Sequence, residues 1–166
     1  MPLIDALLPE FDREMGQTRK LLDRVPDGQF DWQPHPTSMT LGRLAEHLTE
    51  MPAWATATMT LESLEMASGR PAGYQPPTTR STALTVFDAN VTTGRLHLAG
   101  KTDPEFLVPW TLTAGGKEVF TMPRIAVMRN FVLNHMVHHR GQLSVYLRML
   151  GVRIPSIYGP SGDERL

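Results

Sequence analysis

Residues 133–143 read LNHMVHHRGQL and place three of the chain's six histidines within five positions. The surrounding stretch has helical periodicity, with Met128, Val132, Leu143, Tyr146 and Leu150 tracing one apolar arc. At about 100° per residue, His135 and His139 stand about 40° apart, one turn above the other, with His139 near the centre of that arc. His138 lies about 100° from the centre, at the edge of the core or in solvent. Two imidazoles on a buried helix face must find partners, because an unpaired buried polar group costs roughly 1–3 kcal/mol. Either hydrogen bonds satisfy them within the core, or they reach together for one ion.

Working outward from this helix, Pro123 suits its first turn and Gly151 its C-terminal stop. Upstream, FLVPWTLTAGGKEVF (residues 106–120) alternates around Gly115 and Gly116 and predicts a short hairpin. Leu84, Phe87, Val91, Gly94 and Leu98 predict a helix over about residues 81–99. The Gly/Pro-rich connection ASGRPAGYQPPTT (residues 67–79) separates it from a helix that begins near Thr40, a fitting N-cap. That helix carries Leu41, Leu44, His47, Leu48, Met51, Ala55 and Met59 along one side, and Pro52 is expected to kink it near His47. A first helix runs through Ile4, Leu7, Leu8, Phe11, Met15, Leu22 and Val25 and stops at Pro26-Asp27-Gly28, before the loop QFDWQPHPTSM (residues 29–39). Residues 152–166 should lie irregularly over the helices. Four amphipathic helices with longer connections predict an all-α four-helix bundle, one domain over residues 1–166.

Composition narrows the chemistry. The 166 residues can bury a core without a staple, so a metal here would be functional rather than structural. Lysine and arginine number 16 against 17 acidic residues, and no run of basic residues clusters along the chain, so no nucleic-acid partner is expected. No apolar run approaches the roughly 20 residues of a membrane span and no basic leader opens the chain, so no membrane is expected and a cytoplasmic location is. With zero cysteines, disulfides, thiolate ligands and a cysteine nucleophile are excluded, and any thiol chemistry must use an external thiol.

His47 borders the apolar side of the second helix and is the natural third member beside His135 and His139. Three imidazoles from two helices would leave one or more positions open for water, the ligand count of a catalytic metal site. His35, in the proline-rich loop, and His97, opposite the apolar stripe of its helix, are expected to be solvated. Arg140, Gln142 and Arg148 read as a polar face with charge complementing the helix dipole, Gln142 alternatively as a hydrogen-bond partner near the site. Trp32, Trp54 and Trp110 read as core or pocket lining.

Taken together, TLGRLAEHL, LNHMVHHRGQLSVYLRMLG and PSIYGPSGDE resemble the DinB family of small metal-binding helical proteins, over nearly the whole chain and in order. The resemblance implies an up-down-down-up bundle and a divalent ion held by His47, His135 and His139, with His138 not a ligand. Some relatives are thiol-dependent transferases or isomerases that use mycothiol, bacillithiol or glutathione. The expected function is therefore a metal-dependent enzyme acting on a small-molecule substrate and activating a low-molecular-weight thiol or water, as an S-transferase or hydrolase. The alternative is a non-catalytic metal-binding or stress-response protein. Imidazole donors suit zinc first and nickel second. Val145 and Met149 on the flank of the last helix suggest a homodimer.

Overall fold

Capping contacts mark where the first three long helices begin. α1 (Leu3–Leu22) follows Pro2, and its Leu3 N–H donates to the Asp103 carboxylate at 2.7 Å, so a residue far along the chain caps it. α2 (Leu41–Thr60) starts at Thr40, whose hydroxyl accepts from the Arg43 N–H at 3.1 Å. α3 (Arg80–Leu98) is opened by a reciprocal Thr79–Thr82 capping box. The starts of α2 and α3 match the sequence expectation to within a residue. The computed structural model describes residues 1–66 and 72–165; the start of the expected Gly/Pro-rich connection, residues 67–71, lies outside the described residues, as does residue 166.

Among the described residues three elements escaped the sequence reading, the first a single 3-10 turn (Asp27–Gln29). α4 (Asp103–Leu107) is a single capped turn in which Glu105 accepts from the Thr102 N–H and hydroxyl, and these bonds with Lys101 draw its carboxyl down to about 2. The T-D-P-E spacing is a legible capping signal for it. β1 (Ser63–Met66) is four residues long, too short to show a period, and pairs in parallel with β2 (Pro109–Ala114). β2 and β3 (Lys117–Pro123) form the expected antiparallel hairpin, turning through Gly115 and Gly116 at φ +57° and +72°, as an I′-type turn requires. The expected all-α bundle is thereby corrected to a mainly helical fold with a three-stranded sheet of order β1-β2-β3.

The last helical stretch also departs from a regular helix. It comprises α5 (Arg124–Val127), a π-helical segment (Met128–Asn134) and α6 (His135–Met149), and closes at Gly151 with φ +73°. A π turn bonds i to i+5 and shifts the face that follows it. The buried residues are consequently Met128, Val132, Leu133, Met136, His139, Arg140, Leu143 and Leu147, while Tyr146 and Leu150 are half-buried. The two histidines thus stand at the border of the core face and not at its centre.

One main core joins Leu7, Phe11 and Leu22 of α1, Leu44, Leu48 and Met51 of α2, Phe87 and Leu98 of α3, and Met136 and Leu143 of α6. A second cluster of Trp110, Leu112 and Val127 lies under the sheet. Gly94 sets the approach of α3 to α2: an added Cβ would stand 2.7 Å from the Pro52 carbonyl oxygen and 3.3 Å from Ala55 Cβ. Arg140, expected on a polar face, is instead buried and donates to the Glu14 carboxylate at 2.7 Å and to the Glu14 carbonyl at 3.1 Å. The Tyr158 hydroxyl of the tail completes the group at 2.5 Å from Glu14. Burial alone would raise the Glu14 carboxyl, but the Tyr158 and Arg140 hydrogen bonds outweigh it and hold the group below its ordinary value.

Gly94→Ala should cost about 1–3 kcal/mol by overpacking, read as a drop of roughly 3–10 °C in thermal midpoint with helical circular dichroism retained below it. Glu14→Ala should cost more, about 3–5 kcal/mol, because it leaves a buried guanidinium without its counter-charge. Chemical denaturation of the two variants would rank them in that order.

Candidate metal centre

The seam between α2 and α6 brings together the three histidines singled out in the sequence. His139 Nε2 lies 2.8 Å from His135 Nε2, and His135 Nε2 lies 3.4 Å from His47 Nε2. The ligand atoms of all three fall within 4.8 Å of one another, and among the described residues they are the group able to hold a metal ion. His139 is buried, whereas His47 and His135 are half-buried and reach solvent.

Hydrogen-bond partners decide what these nitrogens offer. His139 Nδ1 stands 2.7 Å from Gln142 Oε1, an oxygen that only accepts, so the ring proton sits on Nδ1 and Nε2 presents a lone pair. The His135 ring donates to the Phe131 backbone carbonyl. The His135 backbone N–H is directed to the Val132 carbonyl, where a regular α-helix would use Phe131. His47 Nδ1 faces Glu50 Oε2 at 3.8 Å. Each imidazole therefore has a polar group on its outer side and turns Nε2 inward, the arrangement by which outer partners orient metal-binding histidines.

The donor set fits a divalent cation. Two nitrogens about 2.0–2.1 Å from one tetrahedral ion stand about 3.3 Å apart, close to the 3.4 Å between His47 and His135, while the 2.8 Å between His135 and His139 would have to widen by about 0.5 Å to share the ion. Converging lone pairs repel unless a proton or a cation lies between them, and the ring protons of His135 and His139 are engaged outward. Burial lowers the His139 pKa to about 4 against the raising effect of Gln142, with His47 and His135 adding to the decrease. Burial, then the neighbouring His47, lowers that of His135 as well. The pair is therefore neutral, as ligation requires.

The other histidines stand apart from this group. His138 is exposed, as its helical angle predicted, and its ring packs edge-on against His139. His35 is exposed and bonded to Thr37, and His97 is half-buried. Gln142 takes the partner role that the sequence offered as an alternative to a polar face. Glu50 and the Phe131 carbonyl were missed: the first had an i, i+3 spacing from His47 that could have shown it, the second depends on the π segment and had no signal. Trp110 is fully buried, while Trp32 and Trp54 are half-buried against the core.

Acid should destabilise the metal-free protein in a defined window. Because folding favours the neutral rings, the stability they contribute is complete above the unfolded pKa of 6.5 and is lost as pH falls from there toward about 4. Thermal midpoints of chelator-treated protein should fall across this range, and His139→Gln should flatten the fall.

Comparison with known proteins agrees with this fold. Among curated proteins, YrdA of Bacillus subtilis (strain 168), described as uncharacterized, is 26% identical over 170 residues, covering 97% of this chain and 91% of its own. A solved DinB-like protein from Bacillus cereus ATCC 10987 superposes with a TM-score of 0.72 at 25% identity, covering 95% of this chain and 98% of that one. A second, the DinB-like YjoA from Bacillus subtilis, shares the fold with a TM-score of 0.69 at 17% identity, covering 97% and 99% of the two chains. The family model described as DinB family matches residues 3–165, and the chain belongs to that family.

Proposed function

We propose that the protein is a metal-dependent enzyme in which His47, His135 and His139 hold a divalent ion, zinc first and nickel second, to activate a low-molecular-weight thiol or water. The observation that carries this reading is the set of three inward Nε2 atoms on a seam reached by solvent. Three protein donors leave at least one position of a four-coordinate ion for an exogenous ligand. An ion held there supplies Lewis acidity that ionises a thiol or water near neutral pH. The chain's own contribution is positional: Gln142 fixes the ring of His139, the Phe131 carbonyl fixes that of His135, and Glu50 stands behind His47.

The chain has no cysteine, so a sulfur nucleophile would come from a cosubstrate, and an S-transferase would join it to an electrophilic small molecule. With water in its place the same site would act as a hydrolase. We extend the proposal to the rest of the family pattern: one domain over residues 1–166 with an up-down-down-up arrangement of helices. Val145 and Met149, 57% and 59% exposed on α6, support a homodimer. No helix among the described residues is long and apolar enough to cross a membrane, which suits the cytoplasmic location proposed here.

Two measurements test this reading. His47→Ala, His135→Ala and His139→Ala should each lose metal to a chelator while far-ultraviolet circular dichroism changes little, and His138→Ala should retain it. Zinc-loaded protein should then show metal-dependent turnover in a screen pairing thiols with electrophiles, alongside simple esters and amides. Metal retention without any turnover would favour the non-catalytic metal-binding reading. Metal loss on His138→Ala but not on His135→Ala would overturn the ligand assignment.

A further inference from the structure

The groups behind His47 lead to a chain segment to which the metal reading assigns no part. Arg43, His47 and Glu50 recur at i, i+4 and i+7 and share one stripe of α2. Glu50 Oε2 serves both of the others, standing 3.6 Å from Arg43 Nη1 and 3.8 Å from His47 Nδ1. Both separations exceed a hydrogen bond, so the carboxylate acts on each group through its charge. That charge favours the His47 ring proton on Nδ1, which leaves the lone pair on the Nε2 that faces His135. The orientation of Glu50 therefore bears directly on how His47 presents itself as a ligand.

On α2 alone, Glu50 has a choice of orientations. Its side chain is 25% exposed, and the terminal torsion of a glutamate is broad. Arg43 competes with His47 for the same oxygen and is itself bound to Glu46 at 3.2 Å. The other oxygen is engaged from outside the helix. The hydroxyl of Tyr74, on the connection between β1 and α3, donates to Glu50 Oε1 at 3.5 Å. A donor on Oε1 restrains the plane of the carboxylate, and with it the direction of Oε2.

The segment that carries Tyr74 is stiff without being packed solid. Pro76 and Pro77 fix two φ angles just beyond it, and the Arg80 N–H at the start of α3 is tied to the Asp27 carboxylate. Between these points Pro76, Pro77 and Thr78 line a cavity of about 230 Å³ together with Arg43 and Glu46 of α2. Tyr74 is half-buried and thus reaches Glu50 from a braced strap beside a void, not from the core.

We infer that Tyr74 is a positioning residue of the metal centre, acting through Glu50 on His47, so that the connection leading into α3 sets how tightly the three histidines hold their ion. This deepens the metal-dependent reading and rests on it. The segment concerned supplies none of the three histidines and belongs to neither helix of the seam.

The test measures zinc affinity of the full chain by competition with a chromophoric chelator, for Tyr74→Phe, Glu50→Gln and the double variant. Glu50→Gln should weaken zinc binding about tenfold or more, the range expected for a partner behind a ligating histidine. Tyr74→Phe removes one long hydrogen bond and keeps the ring, and should weaken binding about threefold to tenfold. In the Glu50→Gln background the same substitution should change affinity less than about twofold, because the charge through which Tyr74 acts is already gone. Thermal midpoints of the metal-free variants should stay within about 2 °C of the unmodified protein, and a loss of zinc matched by a loss of fold counts against positioning. Unchanged zinc affinity in Tyr74→Phe overturns the assignment, as does an equal loss in both backgrounds, which would mean that Tyr74 acts without Glu50. Either result leaves the three-histidine reading intact. Failure of the unmodified chain to take up zinc overturns both.

Discussion

Three imidazole Nε2 atoms converge in a half-buried seam, and with the ring protons of His135 and His139 engaged elsewhere they repel one another unless a proton or a cation lies between them. The three rings meet where the core packs α2 on α6, and each has a polar group on its outer side. The cost of this convergence in a desolvated place appears in the depressed proton affinity of His135 and His139. The core beneath must be complete without these rings, and it is: leucines, methionines and phenylalanines of α1, α2, α3 and α6 join in one cluster. The site is laid on a fold whose core is complete without it, so removing an ion from the site should leave the fold in place.

On the other flank of α6 a second polar group is buried, and there the solution is closed. Arg140 follows His139 directly, yet about 100° around the helix it turns inward to Glu14 of α1. The tail brings Tyr158 to the same carboxylate. Here charge meets charge and every strong donor has an acceptor, so the group needs no outside ligand. Adjacent residues of one helix thus serve opposite ends: His139 has a lone pair unspent, and Arg140 is fully committed to holding α1, α6 and the tail together.

The sequence was most legible where a local rule acts alone. Thr40 and Thr79 mark helix starts, Gly115 and Gly116 mark a hairpin, and the fourfold spacing of His135 and His139 marks a shared face. Legibility failed where the outcome depends on distant partners or on a few residues. Arg140 reads as a solvated cation because Glu14 is far away in sequence, and Ser63–Met66 becomes a strand only when β2 lies beside it. The π segment hides for a further reason: it retains apolar residues at helical intervals and alters only the hydrogen-bond register. That displaced the predicted centre of the core face from Met136 and Leu143 toward His139, although the three histidines themselves were correctly brought together.

The π segment also bears on what it would take to build such a centre anew. Copying the H-x-x-x-H spacing onto an ideal helix reproduces two rings one above the other, but in that helix the carbonyl four residues before the first histidine serves a backbone amide. In this protein the His135 amide goes to Val132, and the Phe131 carbonyl accepts from the ring. The irregular register thus coincides with a backbone carbonyl that supports the side chain, a role that elsewhere falls to a carboxylate or amide. Transplanting this centre into another bundle therefore means transplanting a defect in the host helix together with its histidines.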